Sequence, residues 1–270
     1  MRILIRTSKW AIWSRRIASI AVPMVVIPLV LHHLQLLASD SFLNLAMITL
    51  AVTVMGLISA LIALVRLWII GDQGWGRAIS ALLLCILCLI PFGYAAALLL
   101  RYPETTDVAT TQRQLLPLVF DPTTRQMSPP RLLDDARQEK AFPNAKTRNY
   151  PLNAAQTFAL VARMIDDQGW EIRGRHDPTG SDDPGTINAR MTTLLGFRDE
   201  AVVRVSGDAT RSSVDMRSAS LNATHDLGAN GLRIEKFLGT LDNQVTDLLR
   251  DNPNINQPLD ADDDPPEPQP

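Results

Sequence analysis

Three long apolar segments in the first hundred residues constrain this chain more than any other feature. The segments cover residues 17–38, 42–70 and 78–100, and Arg66 is the only Lys, Arg, Asp or Glu within them. A helix needs about 20 apolar residues to cross a hydrocarbon core of about 30 Å. Helices in the core of a soluble protein are seldom so long and so free of charge on every face. We therefore predict that residues 1–100 form a membrane anchor with three transmembrane α-helices.

The charges around these segments predict how the chain is oriented. Residues 1–100 hold seven of the 26 Lys and Arg but two of the 28 Asp and Glu, a net charge of +5. Five of the basic residues precede the first segment, and Arg66 and Arg77 flank the loop between the second and third segments. Segments rich in Lys and Arg next to a transmembrane helix remain in the cytoplasm. We expect a multi-pass protein in the bacterial inner (plasma) membrane, with a cytoplasmic N-terminus and, in a Gram-negative host, a periplasmic C-terminal domain.

The remaining residues, 101–270, carry 19 basic and 26 acidic side chains, a net charge of −7. The total of −2 excludes a globally basic nucleic-acid binder, so we expect no nucleic-acid partner. Two cysteines exclude a small disulfide-stapled domain. Both cysteines, Cys85 and Cys88, lie in the third apolar segment, where a C-x-x-C pair is more typical of small helix-packing residues than of a redox centre.

Two adjacent histidines, His32 and His33, lie near the end of the first apolar segment. They could ligate a haem or relay protons across the membrane. Alternatively, they lie at the level of the lipid headgroups or form hydrogen bonds between helices. The other two segments contain no histidine, which favours the second interpretation, and we predict no cofactor.

Proline and charge divide the second half of the chain into three parts. Residues 101–150 contain six prolines and are predicted to form a connector or a strap lying on the following domain. Residues 251–270 contain six more prolines and a run of acidic residues, which is typical of a disordered tail. Residues 151–250 then form a compact extracytoplasmic domain.

The patterns within residues 151–250 predict an α+β fold. A helix over 153–168 and a second over 227–250 show apolar residues at helical spacing. Between them, four segments have the character of strands, over residues 170–175, 186–194, 201–205 and 214–220. Strands joined by short turns pair antiparallel. The predicted order is helix, four strands, helix, with the two helices packed on one face of an antiparallel sheet.

Strand alternation predicts a polar cluster rich in arginine. Arg190, Arg204, Asp215 and Arg217 alternate with apolar neighbours and share a face if their strands are adjacent. A guanidinium fork matches a carboxylate or phosphate, so the cluster could clamp a small anionic ligand. The geometry favours the alternative, a ladder of ion pairs across neighbouring strands on a solvated face of the sheet.

Known catalytic and metal-binding patterns have little support in this sequence. It contains no H-E-x-x-H and no calcium loop, and neither His176 nor His225 lies near a nucleophile-elbow pattern. Ser218 and Ser220 fall on the apolar face of their strand. We therefore predict no catalytic residue and no metal site, and we lean against an enzyme.

Three ordered motifs resemble the family called domain of unknown function 1499. They are GFRDEAVVRV at 196–205, VDMRSAS at 214–220 and DLGANGLRI at 226–234. The resemblance covers about residues 140–245, with Thr106-Asp107 as a candidate extension, and some bacterial members look membrane-anchored. Departures from the family pattern are Glu200 in place of Asp, Asn188 in place of an acid and Leu221 in place of Arg. The matching positions are Phe197, Asp199, Arg204, Asp215, Arg217, Ser218, Ser220, Asp226, Gly228, Asn230 and Arg233.

Together, the motifs and the strand pattern define a candidate ligand site. The resemblance implies no established activity, and Asp226 also has a structural explanation as the N-cap of the closing helix. The candidate ligand-binding residues are Arg190, Asp199, Arg204, Asp215, Arg217, Asp226, Asn230 and Arg233.

Three functions remain open. The first is a domain that binds a ligand or another envelope protein. The second is an envelope hydrolase or transferase acting on an anionic substrate. The third is a structural subunit of a membrane complex that packs through its helices, where Gly56 and Ala60 form a face of small residues. The oligomeric state is left open.

Overall fold

A computed structural model describes residues 7–119 and 129–252. The tail predicted for 251–270 lies outside the described residues except for its first two positions. The chain forms two compact units. The first combines residues up to Glu104 with Thr192–Arg198, and the second comprises Thr105–Met191 and the residues from Asp199 onward.

The first unit contains the predicted membrane helices. Within the described residues, three helices are long and apolar enough to span a membrane, which confirms the prediction of three transmembrane helices. They are α1 (Lys9–His33), α2 (Ser39–Ile70) and α3 (Trp75–Arg101). The amide of Ser8 donates to the carbonyl of Gln73 at 3.0 Å, so the start of α1 and the α2–α3 loop lie at the same end of the bundle.

Small residues allow the three helices to pack closely. Ala60 is buried against α1 and α3 residues, in a cluster with Ala18, Ala81 and Cys85. A Cβ added to Gly56 would lie 3.0 Å from both Cys85 Sγ and Ile17 Cγ2. The Gly56–Ala60 face is therefore used inside the bundle, while large apolar side chains cover the outside of the helices.

His32 lies buried at the end of α1. Its Nδ1 donates to the carbonyl of Leu195 at 2.6 Å, and its Nε2 lies 3.1 Å from Ser39 Oγ. The imidazole stacks on Phe42 with 4.4 Å between centroids and meets the edge of Phe197 at 4.8 Å. These contacts, all within the first unit, agree with the expectation that His32 makes hydrogen bonds between helices.

The second unit is an α+β domain with a six-stranded sheet, which confirms the predicted fold class. Its sheet order is β1-β6-β5-β4-β3, with β2 also paired to β6. The described strands are β1 (Asp107–Ala109), β2 (Arg148–Tyr150), β3 (Glu171–His176), β4 (Gly185–Thr192), β5 (Arg198–Gly207) and β6 (Ser212–Ser220). The described helices are α4 (Asp135–Ala141), α5 (Ala154–Asp167) and α6 (Ala229–Asp251).

The sheet has two strands more than the four predicted. Both are three residues long, and both pair antiparallel with β6, through Val108 opposite Ser218 and Asn149 opposite Ser213. Such short strands have too few residues to show an alternating pattern. Their conformation follows from pairing with β6 rather than from their own sequence.

The two long helices begin with different caps. The Asn153 side chain accepts a hydrogen bond from the amide of Gln156 at 2.8 Å, as predicted for the N-cap of α5. For α6 the predicted N-cap, Asp226, is wrong by two residues. Gly228 occupies that position with φ of 82°, and Asp226 instead accepts from the amides of Gly228 and Asn230.

Candidate functional site

Seven of the eight predicted site residues form two clusters, one on each face of the sheet. Cross-strand partners share a face, and β5 pairs with β6 through Asp199 opposite Ser220 and Arg204 opposite Asp215. Asp199 and Arg204 are five positions apart on one strand, so they point to opposite sides. We call the side that bears Asp199 and packs on α6 the helix face, and the side that bears Arg204 the opposite face.

Arg233 organises the helix face from the second turn of α6. Its Nη2 donates to Asp199 Oδ2, and its Nη1 donates to Ser218 Oγ at 2.7 Å and to Asn230 Oδ1 at 2.9 Å. Asp199 is completely buried, and the Arg233 side chain is 15% exposed. This ion pair links β5 to α6 with little access for solvent.

Asn230 extends the same cluster towards β1. Its Nδ2 group contacts Ser220 Oγ at 2.9 Å, Asp226 Oδ2 at 2.9 Å and the carbonyl of Thr106 at 3.2 Å. Its Oδ1 accepts a hydrogen bond from Ser218 Oγ at 2.7 Å. A buried amide with this many partners stabilises one arrangement of the surrounding backbone.

The helix face brings two buried carboxylates close together. Burial raises the pKa of Asp226, and the negative charge of Asp199 raises it further, against the lowering effect of hydrogen bonds from Gly228 and Asn230. Asp199 Oδ1 is buried without a hydrogen-bond partner among residues 7–119 and 129–252. The cluster thus combines one buried ion pair, between Asp199 and Arg233, with one carboxyl group, that of Asp226, whose raised pKa favours the protonated form.

On the opposite face, Asp107 binds Arg217 in a bidentate ion pair. Arg217 Nη2 lies 2.7 Å from Asp107 Oδ2, and Arg217 Nε lies 3.1 Å from Oδ1. The remaining Arg217 nitrogen, Nη1, donates to the carbonyl of Leu116 at 2.9 Å. Arg113 Nε lies 3.4 Å from Asp107 Oδ1, so two guanidinium groups neutralise this fully buried carboxylate.

The other predicted pair on this face is looser. Arg204 Nη1 lies 3.7 Å from Asp215 Oδ2. The second oxygen of Asp215 accepts hydrogen bonds from Thr147 Oγ1 at 2.6 Å and from Thr110 Oγ1 at 3.3 Å. Asp215 therefore connects β6 to the segments that precede β2 and follow β1.

Arg190 does not join the other predicted arginines. Its Nη2 lies 2.8 Å from Glu171 Oε2 on β3. Hydrogen bonds from Arg190 and Arg173 lower the pKa of Glu171. Arg190 thus takes part in a cross-strand ion pair at the edge of the sheet that β3 forms.

Sequence reasoning missed the partners that complete these clusters, namely Asp107, Thr110 and Thr147. The resemblance had pointed to Thr106-Asp107, but no pattern in the sequence pairs that segment with Arg217, 110 residues further along the chain. Thr110 and Thr147 lie in irregular segments without any periodic signal. Within the described residues, no three His, Cys, Asp or Glu side chains are grouped in a way that could hold a metal ion.

Two open clefts lie on the second unit. One, of about 680 Å³, is lined by residues 109–114 and by α4 and its flanks. The other, of about 570 Å³, lies at the β5–β6 turn. In that turn, Asp208 Oδ1 is already bonded to the amides of Thr210 and Arg211. The first cleft, which we call the β1 cleft, adjoins the Asp107 and Asp215 clusters and offers more side chains to a ligand.

The charges that line the β1 cleft are largely paired. Lys146 Nζ lies 2.6 Å from Glu139 Oε1, and Arg113 is held by Asp107. The side chains of Gln112 and Gln114 are exposed at its wall. The cleft therefore presents amides, hydroxyl groups, ion pairs and the Asp135 carboxylate rather than a concentrated charge of one sign.

Comparison with known proteins identifies a family over part of the chain. Residues 121–241 match the family described as "Protein of unknown function (DUF1499)", which confirms the resemblance seen in the motifs. The match contains β2 to β6 and most of α6, while β1 and Asp107 precede it. No curated protein and no solved structure matches the chain.

Proposed function

We propose that this chain, whose residues 121–241 belong to the DUF1499 family of unknown function, is a multi-pass inner-membrane protein with an α+β binding domain in the periplasm. In this proposal the three helices anchor the chain, and the domain binds a ligand or a segment of another envelope protein. The binding place is the β1 cleft. The basic N-terminal flank and the basic residues around the α2–α3 loop support this orientation.

The observation that carries the binding proposal is that three candidate arginines are already paired with carboxylates, whereas an open polar cleft lies beside β1. Arg217, Arg233 and Arg190 each contact a carboxylate of the chain itself. An anionic ligand would have to displace those carboxylates, two of which are fully buried. A neutral polar ligand in the β1 cleft would displace no buried carboxylate, and the exposed glutamines there can donate and accept hydrogen bonds.

The chemistry of the cleft favours a polar ligand without a large net charge. Amide and hydroxyl side chains pair well with glycan hydroxyl groups and with peptide backbone groups. Because the cleft is open, the occupant would be an extended polar chain rather than a small apolar molecule. This proposal replaces the small anionic ligand expected from the sequence with an extended polar ligand of low net charge.

Reporter fusions test the orientation. Alkaline phosphatase, which is active only outside the cytoplasm, is fused after Arg250, and a matched fusion is made in the α2–α3 loop after Gln73. We expect activity from the first fusion and none from the second. The reverse pattern would place the domain in the cytoplasm and contradict the proposal.

Photocrosslinking in intact cells tests the cleft. A photoreactive amino acid replaces Gln114 in the cleft, and a matched variant carries it at Lys236, an exposed residue on α6. We expect an adduct at position 114 that is absent at position 236, and its mass would distinguish a glycan from a protein. Equal labelling at the two positions, or none at 114, would reject the β1 cleft as the binding place.

A further inference from the structure

The turn between β4 and β5 is built as part of the helical unit. The amide of Thr193 donates to the carbonyl of Phe197 at 2.8 Å, and the amide of Gly196 donates back to Thr193 at 2.9 Å. Phe197 also donates its amide to Thr193 Oγ1 at 3.0 Å. These bonds close residues 193–197 into a compact turn, which we call the 193–197 turn.

The end of α1 and the loop that follows it hold this turn through its backbone. Gln35 Nε2 donates to the carbonyl of Gly196 at 2.7 Å, in addition to the bond between His32 and Leu195. Gly196 has φ of 92°, and a Cβ at this position would lie 2.7 Å from the His32 backbone. Glycine is thus required both by the backbone conformation and by the close approach.

One side chain of the turn is left outside these contacts. Leu194 is 88% exposed, although Leu195 and Phe197 on either side of Gly196 are partly buried. Leu34 and Leu36, which flank the Gln35 that holds the turn, are 59% and 73% exposed. Three leucines therefore project from a short stretch of structure at the end of α1.

The length of α1 sets the depth of this group. From Arg16, a charged residue expected at one headgroup layer, to His32 the helix rises about 24 Å at 1.5 Å per residue. The hydrocarbon core is about 30 Å thick. His32 therefore lies within or at the opposite boundary of the core, and so does the turn whose backbone touches it.

We propose that the 193–197 turn inserts Leu194 into the bilayer at the end of α1 remote from Arg16, where it contacts lipid together with Leu34 and Leu36. The occupant of this apolar surface is lipid rather than protein, because α1, whose end holds the turn, carries further exposed apolar side chains such as Ile27 and Val30. A leucine transferred from water into an apolar environment is stabilised by burial of its side chain. The proposal does not depend on what the β1 cleft binds.

Spin labelling of the full-length protein in vesicles of phosphatidylethanolamine and phosphatidylglycerol tests this contact. A nitroxide is attached to Leu194→Cys, to Ile27→Cys as the lipid-facing reference and to Leu232→Cys, an exposed leucine on α6 of the second unit, as the aqueous reference. Wild-type protein treated with the label measures any reaction of Cys85 and Cys88, which are buried.

We expect the ratio of oxygen to water-soluble nickel accessibility at position 194 to resemble position 27 and to exceed position 232 several-fold. A ratio at 194 equal to that at 232 would overturn the proposal. Low accessibility to both reagents would also overturn it, since it would indicate a protein partner or a second copy over the turn. Gly196→Val, combined with Leu194→Cys, should shift the ratio towards water because the added side chain pushes the turn off His32.

Discussion

Arg217 holds both carboxylate oxygens of Asp107, at 2.7 Å and 3.1 Å, and so joins β6 to β1 across 110 positions of the chain. The Asp107 side chain is fully buried, and that of Arg217 is 12% exposed. Strand alternation predicted that Arg217 belongs to a candidate anion site. Its guanidinium group is instead paired with a carboxylate of the same chain.

Replacing Arg217 should therefore test stability rather than ligand affinity. Arg217→Ala would leave Asp107 buried with only the more distant Arg113, and the free energy of unfolding should fall by about 3 kcal/mol. Denaturant unfolding of the full-length protein in detergent measures this loss. Arg163→Ala, which removes an exposed ion pair on α5, should change stability by less than about 1 kcal/mol.

Replacing both members of the pair by apolar residues separates the net contribution of the ion pair from the cost of leaving one buried charge without its partner. Arg217→Met combined with Asp107→Leu removes both charges together and should recover much of the stability lost in Arg217→Ala. If Arg217→Ala were as stable as wild type, the buried pair would have no role in holding β1 to the sheet.

Two glycines of α6 should respond in opposite ways to the same substitution. A Cβ on Gly231 would lie 2.3 Å from Phe142 Cδ1, whereas a Cβ on Gly239 would meet nothing within 4 Å. Gly231→Ala should destabilise the protein by about 2 kcal/mol through overpacking. Gly239→Ala should stabilise it by roughly 0.5–1 kcal/mol. Thermal unfolding of both variants checks the contrast, and similar shifts for the two would contradict this account of the α6 packing.

The raised pKa of Asp226 predicts a specific pH dependence. A carboxyl whose pKa is higher in the folded state than in the unfolded state binds more protons when folded, so its contribution to stability falls as pH rises above about 4. Asp226→Asn removes this titration while it keeps one acceptor oxygen. The stability advantage of wild type over the variant should therefore shrink as the pH rises above about 4. An advantage that stays constant or grows with pH would contradict a raised pKa of Asp226 in the folded protein.

Tyr150 provides a second titration test, in alkaline solution. Burial and the hydrogen bond that its hydroxyl donates to Asp242 Oδ1 at 2.7 Å raise the pKa of Tyr150 well above its usual value. The phenol should stay protonated above pH 10 in the folded protein, and its stabilising effect is lost as pH rises further. Absorbance at about 295 nm should show the same tyrosinate signal for Tyr150→Phe and wild type until unfolding, and an earlier difference would contradict this.

Long periodic elements could be predicted from the sequence because their own residues specify them. The three membrane helices follow from the length of their uncharged apolar segments, and α5 and α6 follow from apolar spacing. The alternation in β6 correctly places Arg217 and Ser218 on opposite faces. The short strands β1 and β2 depend on pairing with β6, which no local pattern reveals.

The candidate site was harder to predict for the same reason. Asp199 and Arg204 belong to one motif, yet the alternation of β5 sends them to opposite faces. The partners of the motif arginines come from distant positions, such as Asp107 for Arg217 and Asp199 for Arg233. A sequence motif shows which residues are close along the chain, but the pairing of the strands decides which side chains are in contact.

The position of β1 sets the shortest fragment in which the sheet is complete. A fragment begun at residue 121, where the family match starts, would lack Asp107, leave Arg217 without its carboxylate and open one edge of β6 between Arg217 and Ala219. Unpaired strand edges promote aggregation. Soluble versions of the domain should therefore begin no later than Thr105, only four residues after α3 ends.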